Sequence, residues 1–78
     1  MKYKVKVRIE RFSLAPMTEW SFDFDDYSEA ADEFKKHYLL DDIFVRSKKT
    51  VTLFRTQEGQ NTMMKSRIIF YDEEQYYN

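Results

Sequence analysis

The chain has no cysteine, one glycine, one proline and one histidine among its 78 residues. Without cysteine it has no disulfide framework, no thiolate metal ligand and no thiol nucleophile. A single glycine excludes a glycine-rich phosphate-binding loop. So few breakers of helices and strands also argue against linkers, disordered tracts and a second domain. These absences predict one small domain over residues 1–78, and we expect residues 72–78 to be frayed.

Long apolar runs are missing as well. No stretch approaches the length of a membrane-spanning helix. The first residues alternate between apolar and basic instead of forming the continuous apolar segment of a secretory signal. The sequence therefore predicts a cytoplasmic protein that does not associate with membranes.

The net charge of −1 hides a segregation of charge along the chain. Residues 1–11 carry five basic side chains and one acidic, residues 12–42 carry two basic and nine acidic, and residues 43–71 carry six basic and one acidic. Such blocks are typical of partner recognition, but strands and a helix that neutralise one another would produce the same pattern.

Two alternating segments predict the first pair of strands. Apolar residues from Tyr3 to Ile9 alternate with lysine and arginine, and aromatic residues alternate with carboxylates from Glu19 to Asp25. A period of two indicates strands with one buried face. If the two strands pair as an antiparallel hairpin with their apolar faces together, basic side chains lie opposite acidic ones. Internal pairing therefore explains both charged rows without a partner, and it is the simpler interpretation.

An amphipathic helix follows the second strand. Asp26 is the predicted N-cap, and Glu29 completes a capping box three residues later. Apolar side chains recur at helical spacing as far as Tyr38. Acidic residues come early and basic residues late, as the helix dipole favours. The helix should end near Leu40.

The second half of the chain predicts a hairpin. Residues 43–46 form a short strand or an extended lead-in, Thr50 to Thr56 is a strand, and Thr62 to Tyr71 returns. Gly59 provides the positive φ that the loop needs. The predicted fold class is α+β, in the order β-β-α-β-β, with a four-stranded antiparallel sheet and one helix packed on one face. The predicted core comprises Val5, Val7, Ile9, Trp20, Phe22, Phe24, Ala30, Phe34, Val51, Leu53, Ile68 and Phe70. Met63 and Met64 either fill this core, which we expect, or form an adaptable interface.

Enzymatic chemistry has little support in the sequence. His37 is the only histidine, and a position near a helix C-terminus predicts a surface or boundary residue. The aspartates at 23, 25 and 26 do not have the spacing of a calcium loop. There is no nucleophile elbow. We expect no enzymatic activity, no catalytic residue, no cofactor and no metal ion.

An acidic and aromatic set of residues suggests a protein interface. Tyrosines among carboxylates offer anchoring area and hydrogen bonds, and acidic rows can occupy a groove built for nucleic acid. The leading hypothesis for the function is a non-catalytic protein-interaction module, although a frayed, solubilising segment is the simpler interpretation of the tail itself. The candidate residues are Asp72, Glu73, Glu74, Tyr76 and Tyr77 of the tail, with Glu19, Asp23 and Asp25.

Basic residues support two alternatives. A basic hairpin with aromatic neighbours can neutralise phosphates and stack bases, so nucleic acid is a possible partner, directly or through a nucleic-acid-binding target. The isoelectric point near 5.8 and the absence of a known RNA-binding pattern count against it. A homodimer through an exposed edge strand is the third hypothesis. The candidate nucleic-acid-binding residues are Arg46, Lys48, Lys49, Arg55, Lys65 and Arg67.

No motif in the chain matches that of a known family. In size and in its aromatic, charge-rich composition the chain is similar to small phage-encoded accessory proteins, some of which block host defence or transcription machinery. Anti-CRISPR proteins are one example. This likeness implies an inhibitor or regulator of a host complex, for example a defence nuclease, and it assigns no residue to the task.

Overall fold

The computed structural model describes residues 2–11, 17–40 and 47–71. In this part of the chain the elements are β1 (Lys2–Arg11), β2 (Thr18–Phe24), α1 (Tyr27–Leu39), β3 (Ser47–Gln57) and β4 (Gln60–Tyr71). They form an antiparallel sheet in the order β2-β1-β3-β4. The predicted α+β class and the order β-β-α-β-β are confirmed. The lead-in at 43–46 and the tail at 72–78 lie outside the described residues.

The helix begins and ends where the sequence predicts. The Asp26 carboxylate Oδ2 accepts a hydrogen bond from the backbone N–H of Glu29 at 3.2 Å, so Asp26 is the N-cap. The last helical residue is Leu39, and Leu40 is the C-cap in an extended conformation. These local signals fix the length of α1 and therefore how much of the sheet it covers.

The core lies between α1 and the two central strands. The pairing of β1 with β3 aligns Val5 with Leu53 and Val7 with Val51, and all four side chains are fully buried. Ala30 and Phe34 of α1 complete this buried cluster, and Tyr3, Trp20, Phe22, Phe24 and Tyr38 pack partly buried around it. We call the face of the sheet beneath α1 the helix side and the opposite face the outer face.

The charged rows of β1 and β2 neutralise each other on the outer face. Lys6 Nζ lies 3.1 Å from Glu19 Oε1, and Lys2 Nζ lies 3.9 Å from Asp25 Oδ1. Solvent-exposed pairs of this kind contribute only about 0–1 kcal/mol each. They balance charge on the sheet, and the buried cluster supplies most of the stability.

Four side chains of β4 that were predicted to be buried are exposed. Ile68, Phe70 and Met63 lie on the outer face, and Met64 is exposed at an irregularity in the pairing of β3 with β4. The prediction was wrong because β4 is an edge strand and α1 packs mainly on the central strands. Both faces of β4 are partly apolar, so periodicity alone did not identify the buried face.

His37 is buried, contrary to the expectation of a surface or boundary position. Its Nε2 lies 3.1 Å from Glu33 Oε1, and its ring stacks on Phe22 with the centroids 5.2 Å apart. The spacing of four residues places His37 and Glu33 on one side of α1. This histidine therefore belongs to the contact between the helix and β2.

The hairpin between β3 and β4 turns through Glu58, with φ of +53°, and Gly59, with φ of +78°. Two successive positive φ values are typical of a type I′ turn, whose twist matches that of the flanking strands. We expect Gly59→Ala to lower the free energy of unfolding by about 1 kcal/mol, because an L-residue is strained at this φ. A Cβ atom added at Gly59 would meet no other atom within 4 Å, so a clash would not contribute.

Urea unfolding measures this effect as a shift of the midpoint at an unchanged slope. Gly59→Asn is the matched control, since asparagine tolerates the left-handed region better than alanine does, and it should lose less stability. Equal midpoints for wild type and Gly59→Ala would contradict the turn assignment.

Candidate protein interface

The outer face of β4 carries a line of exposed apolar side chains. Met63, Ile68 and Phe70 are 62%, 55% and 68% exposed. Phe54 of β3 is paired with Met63 in the register and adds a half-buried ring. We call Phe54, Met63, Ile68 and Phe70 the apolar row. Ser66 lies on the same face between Met63 and Ile68, so the row has two parts, Phe54 with Met63 and Ile68 with Phe70. Exposed apolar side chains gathered on one face of so small a domain are typical of an interaction site.

Polar groups lie both within the apolar row and beside it. Thr52 Oγ1 lies 3.4 Å from Ser66 Oγ on the same face. Lys6 Nζ, which is paired with Glu19, also lies 5.7 Å from the centroid of the Phe54 ring. The outer face therefore changes from ion pairs on β1 and β2, through hydroxyl groups, to apolar side chains on β4.

The helix side of β4 carries cations instead. Lys65 is paired with Leu53 and Arg67 with Val51 in the register, and both basic side chains are exposed. The Arg67 guanidinium lies 5.6 Å from the centroid of the Tyr38 ring, which is a cation–π distance. Neither cation forms a salt bridge with any residue in the described part of the chain. β4 thus has a largely apolar outer side, and its helix side carries the two cations and then Ile69.

The backbone of β4 has an open edge, since no described strand follows it in the sheet order. The register shifts between Leu53 and Phe54, which are paired with Lys65 and Met63. Met64 is therefore the additional residue of a β-bulge. From Lys65 to Tyr71 the pairing with β3 is regular. This stretch presents an uninterrupted edge of roughly 23 Å.

The structure places part of the predicted acidic set. Glu19 and Asp25 lie beside lysines of β1, as described above, and Asp23 is paired with Lys4 in the register. All three are at the β2 edge of the sheet, and β4 forms the other edge. The predicted tail contacts lie outside the described residues: Asp72, Glu73, Glu74, Tyr76 and Tyr77.

The predicted basic set does not form one surface. Lys48 is on the outer face, where its Nζ lies 3.8 Å from Glu10 Oε2. Arg55 is exposed on the helix side, the side on which Lys65 and Arg67 also lie. Arg46 lies outside the described residues. The structure therefore brings together three of the six predicted residues.

Lys49 is not part of any exposed basic surface. It is 1% exposed, and its Nζ donates a hydrogen bond to the backbone carbonyl of Leu40 at 2.9 Å. The sequence contained a signal for this burial, because Lys49 is in phase with Val51 and Leu53 on the buried side of β3. Lys49 connects the sheet to the end of α1.

Within residues 2–11, 17–40 and 47–71, no helix is long and apolar enough to cross a membrane. The same residues contain no group of three or more histidine or acidic side chains placed to hold a metal ion. Comparisons of the chain with protein-family models, with curated proteins and with solved structures find no match. The chemistry of the β4 surface is therefore the main guide to function.

Proposed function

We propose that the chain is a non-enzymatic protein-interaction module and that the apolar row of β4 is its contact surface. The observation that supports this proposal is the exposure of Met63, Ile68 and Phe70, each by more than half, on one face of an edge strand. Burial of such a side chain contributes roughly 1.5–3 kcal/mol when it is complete. These side chains stay exposed in the folded chain, so a partner that covers the row would gain this free energy on binding.

The surroundings of the row support the same role. Interfaces between proteins commonly have an apolar centre enriched in phenylalanine and methionine, with a polar rim. In this chain the hydroxyl groups of Thr52 and Ser66 lie between the two parts of the row, and the ion pairs of β1 and β2 lie beside it. The row has the composition of an interface centre, and these ion pairs have that of a rim.

The narrower role that the sequence suggested belongs to the same proposal. The partner is a host complex such as a defence nuclease, and the chain acts on it as a small phage-type inhibitor or regulator in the cytoplasm. The tail residues stay predicted contacts: Asp72, Glu73, Glu74, Tyr76 and Tyr77. The apolar row, rather than the acidic residues of β2, is the proposed centre of the interface, since Glu19 and Asp25 are paired with lysines.

Charge introduced into the apolar row tests this function. I68K and F70K should each abolish capture of the protein that wild type binds in nuclease-treated lysate of the source or its host. Both side chains are exposed, so the variants should unfold within about 0.5 kcal/mol of wild type. L39K is the matched control, because Leu39 is 64% exposed on α1, away from the row.

L39K should capture the same protein as wild type in the same amount. If I68K and F70K retained full capture while remaining folded, the apolar row would not be the interface. Loss of capture by all three variants would point to a general effect of added charge and would also contradict the assignment.

Nucleic-acid binding is the second candidate, and one observation favours it. Arg55, Lys65 and Arg67 are exposed on the helix side of the sheet, and none has a salt bridge to a described residue. Phosphate binding through them would weaken steeply between about 50 and 200 mM salt. The double variant K65E/R67E should lose such binding, and I68K should keep it. If the apolar row is the interface, I68K should instead lose binding of the partner and K65E/R67E should keep it.

A further inference from the structure

We propose that the open edge of β4 over residues 65–71 accepts an extended segment of the partner protein as an additional strand, and that apolar and acidic residues alternate in this segment. The inference rests on the proposed function and specifies the chemistry of the partner. It follows from the different character of the two sides of β4.

An added strand meets both sides of β4 at once. Its successive side chains point alternately to the outer face and to the helix side. On the outer face they would lie beside Ser66, Ile68 and Phe70, and on the helix side beside Lys65, Arg67 and Ile69. Apolar pairs and pairs of opposite charge across strands each contribute roughly 0.2–1 kcal/mol. A segment that alternates apolar residues with aspartate or glutamate places apolar side chains beside Ile68 and Phe70 and carboxylates beside Lys65 and Arg67.

The cations on the helix side favour a carboxylate partner in particular. The Arg67 guanidinium lies over the Tyr38 ring, 5.6 Å from its centroid. Neither Lys65 nor Arg67 has a salt bridge among the described residues. Arginine binds carboxylates through two parallel hydrogen bonds when its orientation is suitable. An acidic side chain opposite Lys65 or Arg67 would therefore pair with a positive charge that has no salt bridge to any described residue.

A second copy of the chain fits this edge less well. In a twofold antiparallel pairing centred on Ile68, the whole of residues 65–71 pairs with itself and the two Arg67 side chains lie diagonally across the strands. Centring on Arg67 places the two arginines directly opposite, and centring on Ser66 places Lys65 opposite Arg67. Like charges directly opposite each other are destabilising, which disfavours the registers centred on Arg67 and Ser66. In the register centred on Ile68, Arg67 lies opposite Ile69, whereas an acidic segment places an opposite charge beside each cation.

The bulge has a consistent role. Natural sheets protect their edges from indiscriminate pairing with lysines and with β-bulges. Met64 forms the bulge and Lys65 follows it directly. The strand is irregular only at the bulge, and the regular edge that follows it begins with Lys65 and Arg67 among its first three residues. These cations discourage pairing with a basic strand and admit an acidic one.

Short synthetic peptides test the proposal on the full chain. The probe is a fluorescent peptide of about eight residues, long enough to span residues 65–71, in which glutamate alternates with valine and threonine. The first control has lysine in place of each glutamate. The second keeps the glutamates but has N-methylated amides, which cannot form the hydrogen-bond ladder. Fluorescence anisotropy gives the dissociation constants.

We expect the glutamate peptide to bind at least about tenfold more tightly than the lysine peptide, a difference of about 1.4 kcal/mol. N-methylation should abolish binding. K65E/R67E should reverse the preference, so that the lysine peptide binds more tightly. K35E is the matched control, because Lys35 is exposed on α1, and it should keep the wild-type preference.

Several results would overturn the assignment. They are equal affinity for the two charged peptides, binding that survives N-methylation, and a preference unchanged in K65E/R67E. A concentration-dependent dimer that protects residues 65–71 would assign the edge to a second copy, and tight binding of single-stranded DNA lost in K65E/R67E would assign the cations to phosphates.

The test also separates this inference from the proposed function. If the glutamate peptide does not bind but I68K and F70K lose the captured protein, the apolar row is an interface for a partner of another chemistry. If the peptide binds as expected but I68K and F70K retain the captured protein, the open edge is a site and the apolar row is not the interface for that protein.

Discussion

Truncation of Leu53 to alanine should lower the free energy of unfolding by about 3 kcal/mol, the largest effect we expect of any single substitution. Leu53 is fully buried, pairs with Val5 on the neighbouring strand and lies in the cluster that α1 covers. Removal of its side chain loses transfer free energy and leaves a cavity. A domain of this size has a total stability on the order of 4–12 kcal/mol, so L53A should be substantially less stable at 37 °C.

Ile68→Ala is the matched control for this prediction. Ile68 has a similar size and also lies in a strand, but it is on the outer face of β4 and is largely exposed. Its truncation should change the free energy of unfolding by less than about 1 kcal/mol. Equal losses in the two variants, measured by urea unfolding, would mean that the outer face of β4 is covered and would contradict the fold described above.

Replacement of Lys49 by methionine should lower the free energy of unfolding by about 2 kcal/mol. The Lys49 ammonium group donates a hydrogen bond to the carbonyl of Leu40, the C-cap residue of α1. Hydrogen bonds from a charged donor contribute roughly 1.5–3 kcal/mol, and a cation at this end of a helix also complements the helix dipole. Methionine retains most of the apolar stem but cannot make this hydrogen bond.

Lys48 provides the matched control, because it is the neighbouring residue and its side chain is on the outer face. Its Nζ is 3.8 Å from Glu10 in a half-buried pair at the surface, so K48M should lower the free energy of unfolding by no more than about 1 kcal/mol. Equal free energies of unfolding for K49M and K48M would mean that the hydrogen bond between Lys49 and Leu40 does not stabilise the packing of α1 on the sheet.

Local signals in the sequence were sufficient for most of the fold. The side chain of Asp26 caps the helix through a contact three residues away, and Gly59 turns the hairpin through its own φ value. The alternation of β1 and β2 identifies their buried faces, since each of these strands keeps a strict period of two. Features that depend on neighbours in the sequence were therefore predictable.

The exposed face of β4 was not predictable in this way. Met63 and Ile68 share the outer face although an odd number of residue steps separates them, because the bulge at Met64 shifts the alternation by one residue. The position of β4 at the edge of the sheet depends on contacts with β3 along its length, which no local pattern records. The apolar row emerged only when the strand order and the bulge were known.

The basic residues show the same limit for the candidate site. Lys48 and Lys49 are adjacent in sequence, yet one is on the outer face and the other is buried beneath α1. Counting basic residues in the second half of the chain therefore overestimated the exposed positive surface. The alternation within β3 was the better guide, since Lys49 is on the same side of the strand as Val51 and Leu53 and therefore faces the helix.

Oxidative footprinting of the captured complex tests most directly whether a protein partner covers the apolar row. Met63 is largely exposed on the row, and Met17, at the opposite edge of the sheet, is 46% exposed and serves as an internal reference. The proposal predicts that Met63 is protected from oxidation in the complex while Met17 is oxidised as in the unbound protein. Unchanged oxidation of Met63 in a stoichiometric complex would contradict it.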